Sequence, residues 1–184
     1  MVILATVGLP GSGKGEFARV AADHDIPVVS MGDVIRAVCA DRGVDPATDH
    51  GAIARALRDE EGPTAVADRT VPFVAEALAN EDVVVIDGLR APAELSTFEE
   101  AFPDTEVLVV AISAPFELRA ERLLERSRDH TDIDIEALRN REEREAGFGM
   151  TELIDAADIT ISNSGTLSAF EADIETALAS HAGG

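Results

Sequence analysis

The chain has 184 residues, enough for one domain with a substantial core, and carries 36 Asp and Glu against 15 Lys and Arg, a net charge of -21. That balance leaves no cationic surplus to neutralise nucleic-acid phosphates or to hold the chain on an anionic membrane, so neither partner is expected. Hydrophobic residues make up 46% and aromatics only 4%, with no Trp or Tyr, so the core must be aliphatic.

The first element is an apolar run over 2–7, read as a strand. Gly8-Leu9-Pro10-Gly11-Ser12-Gly13-Lys14-Gly15 follows at once, and a helical pattern over 15–23, led by Glu16, comes next. Strand, glycine-rich loop and helix in that order is the context a P-loop (Walker A) needs. Glycines let main-chain N–H groups reach phosphate oxygens without a Cβ in the way, and the helix aims the positive end of its dipole at the same anion. Lys14 is the only lysine in the chain. It supplies a compact charge where a nucleotide β/γ-phosphate requires one. Residues 8–16 are therefore nucleotide-binding candidates, Lys14 a catalytic one as well.

A second strand is expected over 26–29 and a helix over 31–42, joined through Ser30-Met31-Gly32-Asp33-Val34-Ile35-Arg36. Ser30 stands where a helix cap belongs, and Arg36, one turn in, is in reach of a second phosphate. Cys39 shares a helical face with Val34, Ile35 and Val38 and reads as a packed small hydrophobe. As the only cysteine, it excludes an intramolecular disulfide and fits a reducing, cytoplasmic location. With helices over 49–60 and 64–79, the stretch from about 31 to 80 carries more helix than a simple crossover needs; an acceptor-binding insert is expected there.

The run 83–87 is apolar up to Asp87, as in a strand buried on both faces, and ends in Asp87-Gly88-Leu89-Arg90. A carboxylate at the carboxyl end of a central strand sits beside the P-loop crevice, where Asp87 can hold Mg²⁺ through water. Arg90 then projects toward an acceptor phosphate. A helix over 93–101, a strand over 106–112, helices over 115–127 and 134–145, a strand over 158–162 and a helix over 167–180 complete the pattern. The alternation predicts an α/β P-loop kinase fold: a five-stranded parallel sheet flanked by helices, one domain over 1–184, with a lid over about 126–146.

Seven of the fourteen arginines lie in 119–144: Arg119, Arg122, Arg126, Arg128, Arg139, Arg141 and Arg144. Pairing with Glu117, Glu121 and Glu125 explains some of them as a solvated face. Three or four are expected to clamp phosphates or a base, which suits a planar, permanently charged, stacking side chain. His24, His50, His130 and His181 are scattered in polar contexts and read as surface residues, and no Cys/His cluster suggests zinc. The N-terminus lacks a signal-peptide pattern, and no apolar stretch reaches membrane-spanning length.

Taken together, these segments resemble nucleoside monophosphate kinases of the adenylate kinase type. Gly8–Gly15 resembles the Gly-x-Pro-Gly-x-Gly-Lys-Gly loop of that family. The segment 29–37 is similar to its monophosphate-holding Ile-Ser-Thr-Gly-Asp-Met-Leu-Arg-Ala, and 87–90 to its Asp-Gly-Phe-Pro-Arg, one residue shorter. The spacing of Arg122 and Arg126 matches two lid arginines, and Arg128 and Arg139 match a later pair. The resemblance implies ATP and Mg²⁺ as cofactors. It implies that Lys14, Arg126, Arg128 and Arg139 neutralise the transferring group, that Ser30, Asp33, Arg36 and Arg90 hold the acceptor, that Arg122 lies on the adenine and that Asp87 organises Mg²⁺.

Three departures stand out. Gly15 and Glu16 replace the hydroxyl residue that follows the lysine in P-loops, and Met31 replaces a threonine. The stretch 51–80 matches poorly. The segment 157–166, with Asn163, resembles dephospho-coenzyme A kinases instead, where such a turn approaches the adenine of ATP. The whole chain looks most like an archaeal family described as adenylate-kinase-related or dephospho-CoA-kinase-like, which shares the Gly-Lys-Gly-Glu loop. The dispersed carboxylates and near-absent lysine resemble the surface of a salt-loving archaeal protein, whose self-repulsion concentrated salt screens.

The expected activity is ATP-dependent phosphoryl transfer to a small nucleotide-like acceptor, most simply a nucleoside monophosphate, by a monomer or homodimer. A dephospho-CoA-kinase-like reading, with Asp33 as base for a hydroxyl acceptor, stays open. So does a nucleotide-gated switch that hydrolyses slowly.

Overall fold

A computed structural model describes residues 1–127, 136, 138–140, 142 and 149–181, with the backbone alone for 126 and 127. Five strands, β1 (Val2–Val7), β2 (Val28–Ser30), β3 (Val83–Asp87), β4 (Glu106–Ser113) and β5 (Ile159–Ser162), form one parallel sheet in the order β2-β3-β1-β4-β5. Parallel neighbours require helical crossovers, and eight helices are described: α1 (Lys14–Asp23), α2 (Met31–Arg42), α3 (Pro46–Glu61), α4 (Ala65–Leu78), α5 (Pro92–Ala101), α6 (Phe116–Ser127), α7 (Met150–Asp155) and α8 (Leu167–Ala179). This is the expected α/β fold of P-loop kinases.

Period-two alternation divides the sheet between two cores. Ile3, Ala5, Val7, Val84, Ile86, Val109 and Ala111 face α2 to α5 and α7, packing on Leu57, Val74 and Phe98. Leu4, Val83, Val85, Val110 and Ile112 face α1 and α8, packing on Phe17, Phe170 and Ile174. Both faces are covered, which is why these strands read as unbroken apolar runs. Cys39 is buried in the first core, as its helical face implied.

Register places the chemistry. Thr6 of β1 pairs with Asp87 of β3, which pairs in turn with Ser30 of β2; Ser113 of β4 pairs with Ser162 of β5. The P-loop, Ser30, Asp87 and Asn163 therefore all leave the same carboxyl edge. The chain runs from β1 to one side of the sheet and later returns to the other, so the crevice at β1 is a topological switch point.

Local differences from the expected elements have physical causes. β2 begins two residues late, because Ile26 turns into the core and the ladder opens where the Pro27 carbonyl accepts from Val85 N at 2.9 Å. α3 begins early: Asp45 accepts from Ala47 N at 2.9 Å, and Pro46 is preset for a first helical position. α7, only six residues long, gives too short a pattern to be read from sequence. Ser30 occupies the cap position of α2 but its side chain makes no cap hydrogen bond there, which corrects the expectation for that hydroxyl. Replacing Asp45 by alanine is expected to lower stability by about 1 kcal/mol, read as a shift of the urea midpoint at unchanged slope.

α3 and α4 meet at a corner where Arg69 donates to Glu61 at 2.7 and 2.9 Å and holds its carboxyl below the ordinary carboxylate range. A depressed folded-state pKa gives stability that is present above the unfolded value and lost as pH falls through the folded one. Both groups are solvated, so the effect is small.

Candidate functional site

The P-loop has the backbone its glycines permit. Gly11 (φ 79°) and Gly13 (φ 117°) lie in the left-handed region, and Gly13 leads directly into α1. A Cβ on Gly13 would fall 2.4 Å from Asn163 Nδ2 and 2.9 Å from Phe170, and one on Gly8 would fall 2.5 Å from the Ile112 carbonyl oxygen. The loop is thus packed from behind by β4, β5 and α8. Lys14 Nζ donates to the Gly8 carbonyl at 2.5 Å, and Ser12 N donates to the Leu9 carbonyl at 3.1 Å. Ser12 Oγ, in a residue 1% exposed, has no hydrogen-bond partner among the described residues.

Asn163 and Arg122 lock onto this loop. Asn163 Nδ2 donates to the Ser12 carbonyl at 2.8 Å. Arg122 donates to Asn163 Oδ1 at 3.0 Å and to its main-chain oxygen at 3.1 Å, and reaches the Gly11 carbonyl at 3.5 Å. With Gly11, Gly13, Glu16, Glu125 and Leu167 they line a cavity of about 430 Å³. Arg122 and Asn163, each more than a hundred residues from the loop, therefore meet at it. Glu16 borders the same cavity and pairs with Arg19 at 2.6 Å.

A second cavity of about 210 Å³ is lined by Lys14, Arg36, Arg58, Arg90, His50, Asp87 and Glu94, with Met31, Ile35 and Val66 as its aliphatic wall. Ser30 contributes to the lining. Asp33 pairs with Arg36, its Oδ1 2.5 Å from Arg36 Nη2. Asp87 Oδ1 accepts from Thr6 Oγ1 at 3.0 Å, which fixes one carboxylate oxygen beside the end of the switch strand β1.

Several residues here were not anticipated. His50, read as a surface residue, lines the second cavity. Arg58 donates to buried Glu94 at 2.9 Å, and Glu94 also accepts from Arg90 N at 2.9 Å. The signal for Glu94 was present: it sits on the first turn of α5 behind Pro92, where a glutamate reaches back to preceding N–H groups. Arg119 is 5% exposed; it donates to the Pro10 and Ala114 carbonyls at 3.3 and 2.9 Å and pairs with Glu142. Arg139, expected at the transferring phosphate, lies 4.4 Å over the Phe116 ring. The side chain of Arg126, and Arg128, Arg141, Arg144, His130 and most of the expected lid lie outside the described residues.

A glycine cradle at a helix start on the switch strand, a carboxylate ending the neighbouring strand and a second, basic cavity beyond them define the P-loop kinase class of fold. Known proteins agree. A sequence profile described as an AAA domain matches residues 7–139. A UPF0200 protein of Halobacterium salinarum is 49% identical over 97% of this chain and 93% of its own, and one of Methanosarcina barkeri is 42% identical over 98% and 96%. The chain belongs to the UPF0200 family. Among solved structures, TT1252 from Thermus thermophilus superposes with a TM-score of 0.67 at 20% identity over 97% of both chains. A shikimate kinase from Bacteroides thetaiotaomicron gives 0.61 at 14% identity over 97% of both chains. A gluconokinase from Sinorhizobium meliloti gives 0.56 at 16% identity over 98% of this chain and 93% of its own. No described helix is long and apolar enough to cross a membrane.

Proposed function

We propose that the protein transfers a phosphoryl group from ATP to a small anionic acceptor. One observation carries this reading: Gly11 and Gly13 of the loop line the first cavity while Lys14, the next residue in the chain, lines the second, so the loop that would hold nucleotide phosphates adjoins the basic second cavity. A slow hydrolase needs only the first cavity.

The fit to a nucleotide rests on the geometry of the loop. Three positions have no room for a Cβ, the helix presents its first N–H groups, and the buried Ser12 hydroxyl lacks a partner among the described residues. Arg122 offers its guanidinium plane to the base beside Asn163. Mg²⁺ takes hard oxygen ligands, commonly one or two carboxylates together with phosphate oxygens. Asp87 suits that role through water, and the absence of a hydroxyl after Lys14 leaves the carboxylate as the principal protein ligand. ATP would supply the γ-phosphoryl and a bound Mg²⁺ would help neutralise its charge; the chain's own groups orient and neutralise. Lys14 neutralises the developing charge, and Arg36 and Arg90 hold the acceptor. For a hydroxyl acceptor, Asp87, which borders the second cavity, is placed to accept the proton, while Asp33 is committed to Arg36.

The nucleoside monophosphates implied by the resemblance head the acceptor panel. In molar KCl with ATP and Mg²⁺, ADP release is expected to rise with one acceptor among AMP, CMP, UMP, GMP, their deoxy forms, dephospho-CoA and small phosphorylated or carboxylated metabolites. Equal slow release with all of them would indicate a nucleotide-gated switch, which the missing P-loop hydroxyl would suit. Arg90→Ala is expected to lower kcat/KM for the acceptor by about 10- to 100-fold, the loss of one charged hydrogen bond of about 1.5–3 kcal/mol, with ATP affinity unchanged. Wild-type acceptor kinetics in that variant would remove Arg90 from the site.

A further inference from the structure

The second cavity gathers cations from several elements. Lys14, Arg36, Arg58 and Arg90 line it with the carboxylates of Asp87 and Glu94, Arg36 pairing with Asp33 and Arg58 with Glu94, in a chain whose net charge is -21. Four of only fifteen basic residues thus converge on about 210 Å³. Lys14 belongs to the transferring group, and Arg36 and Arg90 flank the Asp87 side. Arg58 arrives from a different element, α3, and its position is built: its guanidinium donates to the Ala54 carbonyl at 3.2 Å and to Glu94 at 2.9 Å. Glu94 is fully buried, at 0%, while Arg58 keeps 17% of its side chain exposed, on the cavity side. The same carboxylate accepts from Arg90 N, so one buried anion sets the spacing between two of the cationic walls. Among the described residues the lining contains no Phe, Tyr or Trp, its one ring being the His50 imidazole, and the volume lies below the roughly 300 Å³ where sites for drug-sized ligands begin.

We infer that Arg58 is an acceptor-binding residue positioned by Glu94, and that the acceptor is a compact molecule bearing two anionic groups, one between Arg36 and Arg90 and the other at Arg58. This deepens the kinase reading and rests on it. An arginine on a second anion is a planar, two-pronged contact, so it selects for a carboxylate or phosphate at a fixed distance from the first.

The test uses two probes on one scaffold, 3-phosphoglycerate and glycerol 3-phosphate, which differ by a carboxylate. Each is titrated calorimetrically into the full chain saturated with a non-hydrolysable ATP analogue in molar KCl. The wild type is expected to bind 3-phosphoglycerate at least ten-fold more tightly. Arg58→Ala alone would leave the Glu94 carboxylate buried without its partner, so the decisive variant is Arg58→Met with Glu94→Gln, which removes both charges and keeps an acceptor for Arg90 N. In that variant the preference should fall below two-fold while glycerol 3-phosphate affinity changes less than three-fold. Arg58→Lys should keep only part of the preference, because the fork is lost. Equal binding of the two probes by the wild type, or an intact preference in the double variant, overturns the inference. Failure of the ATP analogue itself to bind would instead remove the kinase reading, and that result is visible before either probe is added.

Discussion

Lys14→Met is expected to lower kcat by about 10²- to 10³-fold, the loss that follows removal of one preorganised charge at a transition state, with ATP affinity falling much less. The reason lies in the division of labour at the loop. Main-chain N–H groups and the start of α1 hold phosphate without the lysine, and they remain in the variant. What is lost is the ammonium that lines the second cavity beside the loop, the charge proposed to follow the phosphoryl group. Lys14→Arg should not restore activity: a wider planar fork replaces a compact ammonium beside a loop whose glycines at 8, 11 and 13 tolerate no added atoms. Because Nζ also closes the loop onto the Gly8 carbonyl, the variant must be checked by thermal unfolding. A midpoint within a few degrees of wild type together with the kinetic loss supports the catalytic role. Full activity in Lys14→Met would end it.

The sequence made the scaffold and the loop legible because their signals are local. Strands buried on both faces declare themselves as apolar runs, and the glycines at 8, 11 and 13 are demanded by contacts behind them. Asp87 stood out by its place at the end of a strand, Arg122 only by the spacing of lid arginines in the family the chain resembles, and the parallel register brings Thr6, Ser30 and Asp87 into line. The acceptor side was less legible. Arg58 sits beside an apolar helix stripe and looks like a solvated arginine; only its tertiary pairing with Glu94 of α5 reveals a buried partner. His50 has no neighbour in sequence to mark it. Arg119 was one of seven arginines in a stretch where glutamates alternate with them, and nothing local separates it from Arg122. Tertiary contact with the Pro10 carbonyl does.

That contact supports the second large effect. Arg119→Ala is expected to destabilise the protein by about 3–5 kcal/mol, the cost of breaking a buried ion pair from one side. Glu142 would keep a charge with only 16% of its side chain exposed, and the carbonyls of Pro10 and Ala114 would lose donors. The loss should extend to nucleotide binding, because a Cβ on Gly11 would lie 2.7 Å from the Arg119 carbonyl oxygen: loop and helix are packed backbone to backbone there. Arg19 provides the contrast. It pairs with Glu16, Asp23 and Glu171, yet 48% of its side chain is exposed. Exposed pairs of that kind are screened by solvent, so Arg19→Ala should move the urea midpoint far less than Arg119→Ala. Replacing both partners, Arg119→Met with Glu142→Leu, should recover more than half of the lost stability, since no buried charge is then left alone. It should not recover ATP affinity, because the donor to the Pro10 carbonyl is still absent. If Arg119→Ala and Arg19→Ala cost the same, the buried pair does not brace the P-loop, and the coupling between that loop and residue 142 must be abandoned.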